Sequence, residues 1–210
     1  MARQDLNRMV DAVSRRLFVA GMIGVAVSPG AFAAASIGTT VDVRGKVDRR
    51  QPPAEEALLA GAALMVNDLL VSGGDGFADL KLGTDTRILL GHDSELLIDR
   101  FVAEQGGVLE LGSGAIIFDR PKGLSPVDIT LRTTFGMIGV RGTKFFCGPN
   151  RGKFAVFVEH GRVEVSNAGV TRRVERGQGI DIAAEHAVPS RPVTWKKARI
   201  AEAYASVVPS

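Results

Sequence analysis

The chain has 210 residues, of which 45% are hydrophobic and 23% are charged, and this composition is typical of a globular domain rather than a disordered chain. Its 25 glycines follow no collagen period, so they indicate many turns between short strands. The formal net charge is +3, but residues 1–33 carry four arginines against two aspartates. The remaining residues are therefore close to neutral, and they lack the concentrated basic face of a nucleic-acid-binding domain.

The amino-terminal segment has the three parts of a secretory signal peptide. Basic residues come first, and an apolar run from Leu17 to Val27 follows them. This run is well short of the roughly 20 residues that a membrane-spanning helix needs. Ala31 and Ala33 then form a cleavage site of the A-x-A type. We therefore predict that residues 1–33 are a removable signal peptide, and that the mature protein is periplasmic or secreted and has no transmembrane anchor.

The paired arginines of this segment indicate a specific export route. Arg15 and Arg16, followed by Leu17 and Phe18, resemble the S-R-R-x-F core of the twin-arginine export signal. Ala20 stands where many such signals carry lysine. The twin-arginine pathway carries proteins that are already folded. A general secretory signal is the alternative.

Beyond the signal, short apolar alternations recur between glycine-containing turns. Val127–Arg132 is the clearest of them, because every second residue is aliphatic. Phe154–Val158 is apolar throughout, as a strand buried on both faces would be. We predict that His160-Gly161 forms a hairpin turn into Arg162–Ser166. Repeated short strands of this kind are typical of an all-β sandwich or a β-solenoid-like stack.

Two segments have helical character. Glu55–Val66 is rich in alanine and leucine, and its intrinsic propensity favours a short helix. Residues 191–210 begin near Pro192 and continue with an amphipathic pattern, which predicts a helix that packs Trp195 on the domain. Contact of its basic residues with a membrane surface is the alternative. Because no low-complexity linker interrupts the mature chain, we expect one β domain over residues 34–190 and a helical tail over residues 191–210.

The most specific string of the sequence runs from Gly136 to Phe145 and reads GMIGVRGTKF. It resembles the G-V-R-G-T-x-F signature of the FecR-like domain, the periplasmic module of iron-citrate signalling regulators. Asn67–Gly73 is similar to the family's G-D-x-L-x-T-G stretch. Val158–Val165 is similar to its V-x-E-G-x-V-x-V stretch, with His160 inserted. The resemblance extends over roughly residues 41–182 and implies an all-β FecR-like fold.

The resemblance also implies a role without covalent chemistry. The family's best-known members place a cytoplasmic domain before a membrane anchor and control a sigma factor. Fourteen residues precede Arg15, and so short a segment cannot form a domain, so we do not expect direct anti-sigma activity. The first hypothesis is an exported binding or scaffold domain that recognises a protein, peptide or glycan in the cell envelope. The alternatives are a periplasmic component of a FecR-type signalling system and a hydrolase of cell-wall glycan.

The sequence contains none of the common catalytic or metal-ligand motifs. Its three histidines are dispersed, and Cys147 is the single cysteine. Gly73–Asp79 only partly resembles a calcium-binding repeat, because its last aspartate comes one position late. We therefore predict no enzymatic activity, no cofactor and no metal. Cys147, which follows Phe145-Phe146, is expected to be buried.

Within the signature, the glycines and the cations have different expected roles. Gly139 and Gly142 are predicted to serve the backbone, through a positive φ or a close approach of strands. Arg141 and Lys144 are the candidate recognition residues, since either cation could project outward from the signature.

Overall fold

The computed structural model describes residues 36–209, which form two nine-stranded β-sheets and one helix. In chain order the elements are β1 (Gly38–Arg44), β2 (Val47–Gln51), β3 (Ala54–Ala57), β4 (Ala63–Leu64), β5 (Leu69–Ser72), β6 (Phe77–Leu82), β7 (Thr86–Leu90), β8 (Glu95–Val102), β9 (Gly106–Ser113), β10 (Ile116–Asp119), β11 (Asp128–Thr133), β12 (Gly136–Arg141), β13 (Lys144–Asn150), β14 (Lys153–His160), β15 (Arg162–Asn167), β16 (Val170–Glu175), β17 (Gln178–Ile182), β18 (Val193–Thr194) and α1 (Lys197–Ala205).

The chain winds back and forth between the two sheets. Sheet A has the strand order β18-β17-β14-β13-β10-β7-β6-β1-β4, and sheet B has the order β16-β15-β12-β11-β9-β8-β5-β2-β3. Strands that are close in sequence therefore face each other across the sandwich. Neighbouring strands are antiparallel except for β9 and β11, which are parallel. The all-β prediction, with a stack of short strands and a short C-terminal helix, is confirmed.

One hydrophobic core fills the space between the sheets. Alternate residues of most strands supply it, as Ile129 and Leu131 of β11 do from sheet B. From sheet A, Phe118 and Phe145 stack with their ring centroids 5.4 Å apart. Because strand side chains alternate between faces, the residues between these core positions point away from the sandwich.

A second apolar layer lies on the outer face of sheet A, where α1 packs. The Trp195 ring stacks on Phe157 at a centroid distance of 5.0 Å, and the Arg199 guanidinium lies 3.8 Å from the Trp195 ring centroid. This layer consists of Ala115, Ile117, Phe146, Ala155, Phe157, Trp195, Ala203 and Val207. β14 is thus covered on both faces, which confirms the interpretation of its continuous apolar run. The predicted packing of Trp195 on the domain is also confirmed.

The helix predicted over Glu55–Val66 is wrong. Residues 54–57 form β3, which pairs antiparallel with β2, and ion pairs from Arg49 to Glu56 and from Arg50 to Glu55 also link the two strands. Ala63 and Leu64 form β4, which pairs with β1. The intrinsic preference for helix is a weak term, and pairing with existing strands together with full burial of Leu64 outweighs it.

The hairpin predicted at His160-Gly161 is also wrong. β14 belongs to sheet A and β15 to sheet B, so the chain crosses the sandwich at this point. Gly161 has a φ of +78°, and a β-carbon there would lie 2.8 Å from the Gly142 carbonyl oxygen. Glycine is therefore required for a corner between sheets rather than for a hairpin.

The signal residues Arg15, Arg16, Ala31 and Ala33 lie outside the described residues. Within residues 36–209, no helix has the length and apolar character that a membrane crossing requires.

Candidate functional site

The signature string spans the corner that connects β12 of sheet B with β13 of sheet A. Gly142 turns the chain with a φ of +62°. The buried hydroxyl of Thr143 donates a hydrogen bond to the Arg162 carbonyl oxygen over 2.8 Å. This bond ties the corner at Gly142 to the neighbouring corner at Gly161. Gly142 and Thr143 therefore have structural roles, as expected for Gly142.

The corner places the two candidate recognition residues on different sheets. Arg141 is the last residue of β12 and is exposed on the outer face of sheet B, where its Nε lies 3.9 Å from Asp128 Oδ1. Lys144 is the first residue of β13 in sheet A. Its Nζ lies 3.5 Å from Asp119 Oδ2 and 3.4 Å from Glu159 Oε2. The structure thus does not bring Arg141 and Lys144 into one site.

Lys144 belongs to a polar cluster that joins α1 to sheet A. The Tyr204 hydroxyl of α1 donates a 2.5 Å hydrogen bond to Glu159 Oε2. Burial raises the pKa of Tyr204, and the bond to Glu159 raises it further. Burial also acts to raise the pKa of Glu159, but the bond from Tyr204 and the charge of Lys144 outweigh it and hold this pKa below its usual value. Lys144 therefore stabilises the contact between helix and sheet.

Gly139 occupies a different environment from Gly142. It lies in the middle of β12, is exposed, and is in register with Thr130 on one side and Glu164 on the other. A β-carbon at this position would meet only the Glu164 carbonyl oxygen, at 3.8 Å, which is ordinary van der Waals contact. The expected close approach of strands at Gly139 is therefore wrong, and neither backbone conformation nor packing within the domain requires a glycine here.

The missing side chain leaves a depression on the outer face of sheet B, which we call the Gly139 groove. Its volume is about 300 Å³. A second depression of about 460 Å³ shares Arg141 and Arg162 with it and extends toward the corner at Gly161. The side chains that line the Gly139 groove include Asp128, Thr130, Arg141, Arg162, Glu164 and Arg173.

Arginines dominate the electrostatics of the Gly139 groove. Arg173 Nη2 lies 3.6 Å from Glu164 Oε1, and both side chains are exposed. Exposed pairs of this kind contribute little to stability, so their guanidinium groups can exchange partners at small cost. Arg162 forms no ion pair with any residue in the described part of the chain. Guanidinium groups bind carboxylates in a planar, bidentate geometry, so the groove suits an acidic surface.

Sequence reasoning identified Arg141 but missed Arg162, Glu164 and Arg173. The alternation in Arg162–Ser166 does place Arg162 and Glu164 on one face of their strand. It does not reveal that β15 pairs with β12, which brings Glu164 opposite Gly139.

Other candidate features form structural contacts. Asp79 of the partial calcium-like repeat forms an ion pair with Arg87, and Asp75 Oδ1 accepts a hydrogen bond from the backbone of Lys46. Cys147 is fully buried, as expected. Across residues 36–209, no group of three or more histidine, cysteine, aspartate or glutamate side chains is arranged to hold a metal ion.

Comparison with known proteins found similarity over part of the chain. Two crystal structures of a "putative anti-sigma factor" from Parabacteroides distasonis resemble the chain, each with 18% identity, a TM-score of 0.49, and coverage of 62% of this chain and 61% of the other. The chain thus spans about three-fifths of the solved structures that it matches. No curated protein matches it significantly. Residues 68–164 match the family model described as FecR protein, and this segment includes Gly139 and Arg141.

Proposed function

We propose that this protein is a non-enzymatic signalling component of the FecR type that binds a protein partner through the Gly139 groove. One observation carries the proposal. The signature string of the FecR domain places an exposed glycine where the domain itself has no need for one, and the resulting depression is bordered by arginines. Glycine in the interior of a strand often marks a site where a ligand or another backbone approaches closely.

The side chains of the groove favour a protein or peptide partner. Charged groups of both signs line it, with Arg141 beside Asp128 and Arg173 beside Glu164. A protein partner that presents carboxylates to the arginines would be guided and oriented by these charges. A glycan of the cell envelope is the alternative ligand, and a structural scaffold is the alternative role.

The family resemblance and the amino-terminal sequence support a periplasmic location. FecR domains act at the cell envelope, and residues 1–33 have the pattern of an export signal. We therefore place the mature domain in the periplasm, where it would bind a membrane regulator of the same signalling system.

Site-specific photocrosslinking in the native host tests the proposal. A photoreactive amino acid replaces Thr130 inside the groove or, as a control, Leu59, an exposed side chain outside the groove lining. We expect position 130 to capture a membrane regulator that position 59 does not, and Gly139→Trp to abolish this capture by filling the groove. Capture of a structural envelope protein instead would favour the scaffold, and equal capture from both positions would overturn the proposed site.

A further inference from the structure

β16 is an open strand edge next to the Gly139 groove. It is the last strand of sheet B and pairs, among the described residues, with β15 alone. Its six residues pair in an unbroken register from Arg162↔Glu175 to Asn167↔Val170. A long, regular edge without a bulge or proline presents backbone groups that a further strand can pair with.

The other three edge strands are much less suited to accept a strand. β4 and β18 have two residues each, and β3 has four residues and follows Pro52-Pro53. Short edges and neighbouring prolines are common devices that prevent strand addition. The absence of such devices on β16 distinguishes this edge from the others.

The turn before β16 determines which of its backbone groups are free. Ala168 and Gly169, both with positive φ, form the two-residue turn of the β15–β16 hairpin. Asn167 and Val170 close this turn, and in such hairpins the closing pair is hydrogen-bonded. The alternation of the antiparallel ladder then directs the N–H groups of Thr171, Arg173 and Glu175 away from β15. The Glu175 N–H accordingly donates to Gln178 Oε1 over 3.1 Å, and those of Thr171 and Arg173 face the open edge.

The charges of the edge select an acidic strand. Arg172 and Arg173 are adjacent in β16, and Arg162 and Arg176 border the neighbouring depression. Two copies of this edge placed side by side would bring arginines together, and like charges in cross-strand positions are destabilising. Alternate residues of β16 face opposite sides of sheet B, so Arg172 lies on the inner side with Val174, and Arg173 is the exposed arginine that glutamates of an added strand would meet.

We propose that β16 binds an extended acidic segment of the partner protein as an additional antiparallel strand of sheet B. Backbone hydrogen bonds at Thr171 and Arg173 would supply affinity, and the arginines would supply specificity. The inference rests on the proposed function, because it names the binding mode and the chemistry of the partner. The added strand would lie beside Arg173, which also lines the Gly139 groove.

A peptide-binding measurement on the full chain tests this binding mode. The probe is a short fluorescent peptide in which glutamate alternates with valine, and the control peptide has lysine in place of glutamate. We expect fluorescence anisotropy to detect binding of the acidic probe alone. Thr171→Pro removes an edge-facing N–H and should weaken binding about tenfold or more, whereas Thr171→Val keeps the N–H and should bind as the wild type does.

A charge variant provides a second readout that does not disturb the backbone. Arg173→Glu should weaken binding of the acidic probe about tenfold, and Arg173→Lys should retain most of it. Equal binding of both peptides by the wild type would overturn the inference. So would undiminished binding of the acidic probe by both single variants, Thr171→Pro and Arg173→Glu. So would dimerisation of the wild type through β16, detected by analytical ultracentrifugation and lost in Thr171→Pro. If the photoreactive residue at position 130 captures a membrane regulator but the acidic peptide does not bind, this inference is contradicted. The proposed function is then still supported.

Discussion

Trp195 lies directly against Gly179, and the indole ring occupies the space that a β-carbon at position 179 would need. Trp195 is in turn held between Phe157 of sheet A and Arg199 of α1. Because Gly179 has no side chain, the Trp195 indole can pack directly on the backbone of β17 and hold the C-terminal helix against sheet A. Substitution of Gly179 tests this contact.

Gly179→Ala should displace Trp195 and loosen α1 from sheet A. We expect a loss of about 2 kcal/mol in the free energy of unfolding, since extra volume in a packed layer forces side chains and backbone to shift. Chemical denaturation measures this loss. Trp195 is the single tryptophan, so a red shift of its native emission reports its exposure. An unchanged emission spectrum and midpoint would show that the contact is unimportant.

Gly139→Ala should leave the fold intact. Because a β-carbon there touches only the Glu164 carbonyl oxygen at 3.8 Å, the free energy of unfolding should change by less than about 0.5 kcal/mol. Gly106→Ala is the contrasting variant, since Gly106 has a φ of +120° and lies against the backbone of Asp128. We expect it to lose more than about 2 kcal/mol. Comparable losses in both variants would contradict the assignment of Gly139 to an external role.

Acid should weaken the contact of α1 with sheet A through Glu159. Its pKa is lower in the folded protein than its usual value, so the stability it contributes is present at neutral pH and is lost as the pH falls through the folded-state pKa. Because the side chain is 46% exposed, we expect this contribution to be about 1 kcal/mol or less.

Denaturation curves between about pH 7 and pH 3 measure this dependence. Glu159→Gln removes the titrating group, and Tyr204→Phe removes its hydrogen bond, so both variants should lose less stability than the wild type over this range. Parallel curves for all three proteins would contradict the role assigned to the Tyr204–Glu159 bond.

Cys147 should be chemically inert in the native protein. The thiol is fully buried in sheet A, and burial raises its pKa far above neutrality. A reagent therefore cannot reach the sulfur, and the reactive thiolate does not form at neutral pH. We expect a thiol reagent such as dithionitrobenzoate to react in denaturant and not in native buffer. Rapid labelling of the native protein would show that the strands around Cys147 open readily.

The arginine pair of the amino-terminal segment should control export. Conversion of both Arg15 and Arg16 to lysine should retain the protein in the cytoplasm if the twin-arginine pathway exports it. Cell fractionation and immunoblotting measure the distribution. Normal export of the double variant would instead assign a general secretory signal, with Ala31 and Ala33 still marking the cleavage site.

The sequence alone predicts that most of the domain consists of β-strands. The alternation over Val127–Arg132 predicts a strand with one buried face, and the apolar run Phe154–Val158 predicts a strand buried on both faces. Both predictions are confirmed by β11 and β14. The signature from Gly136 to Phe145 likewise identified the FecR resemblance, which the family match over residues 68–164 supports. These features are readable because side-chain period and motif spacing are properties of contiguous residues.

Strand pairing was decided only by the tertiary structure. A period of two shows which residues share a face, but not which sheet a strand joins, since its hydrogen-bond partners can lie far away in sequence. For this reason the predictions of a hairpin at His160-Gly161 and of a helix over Glu55–Val66 are wrong. For the same reason, the Gly139 groove was not predictable. It exists because β12 lies between β11 and β15, so that residues distant in sequence surround one exposed glycine.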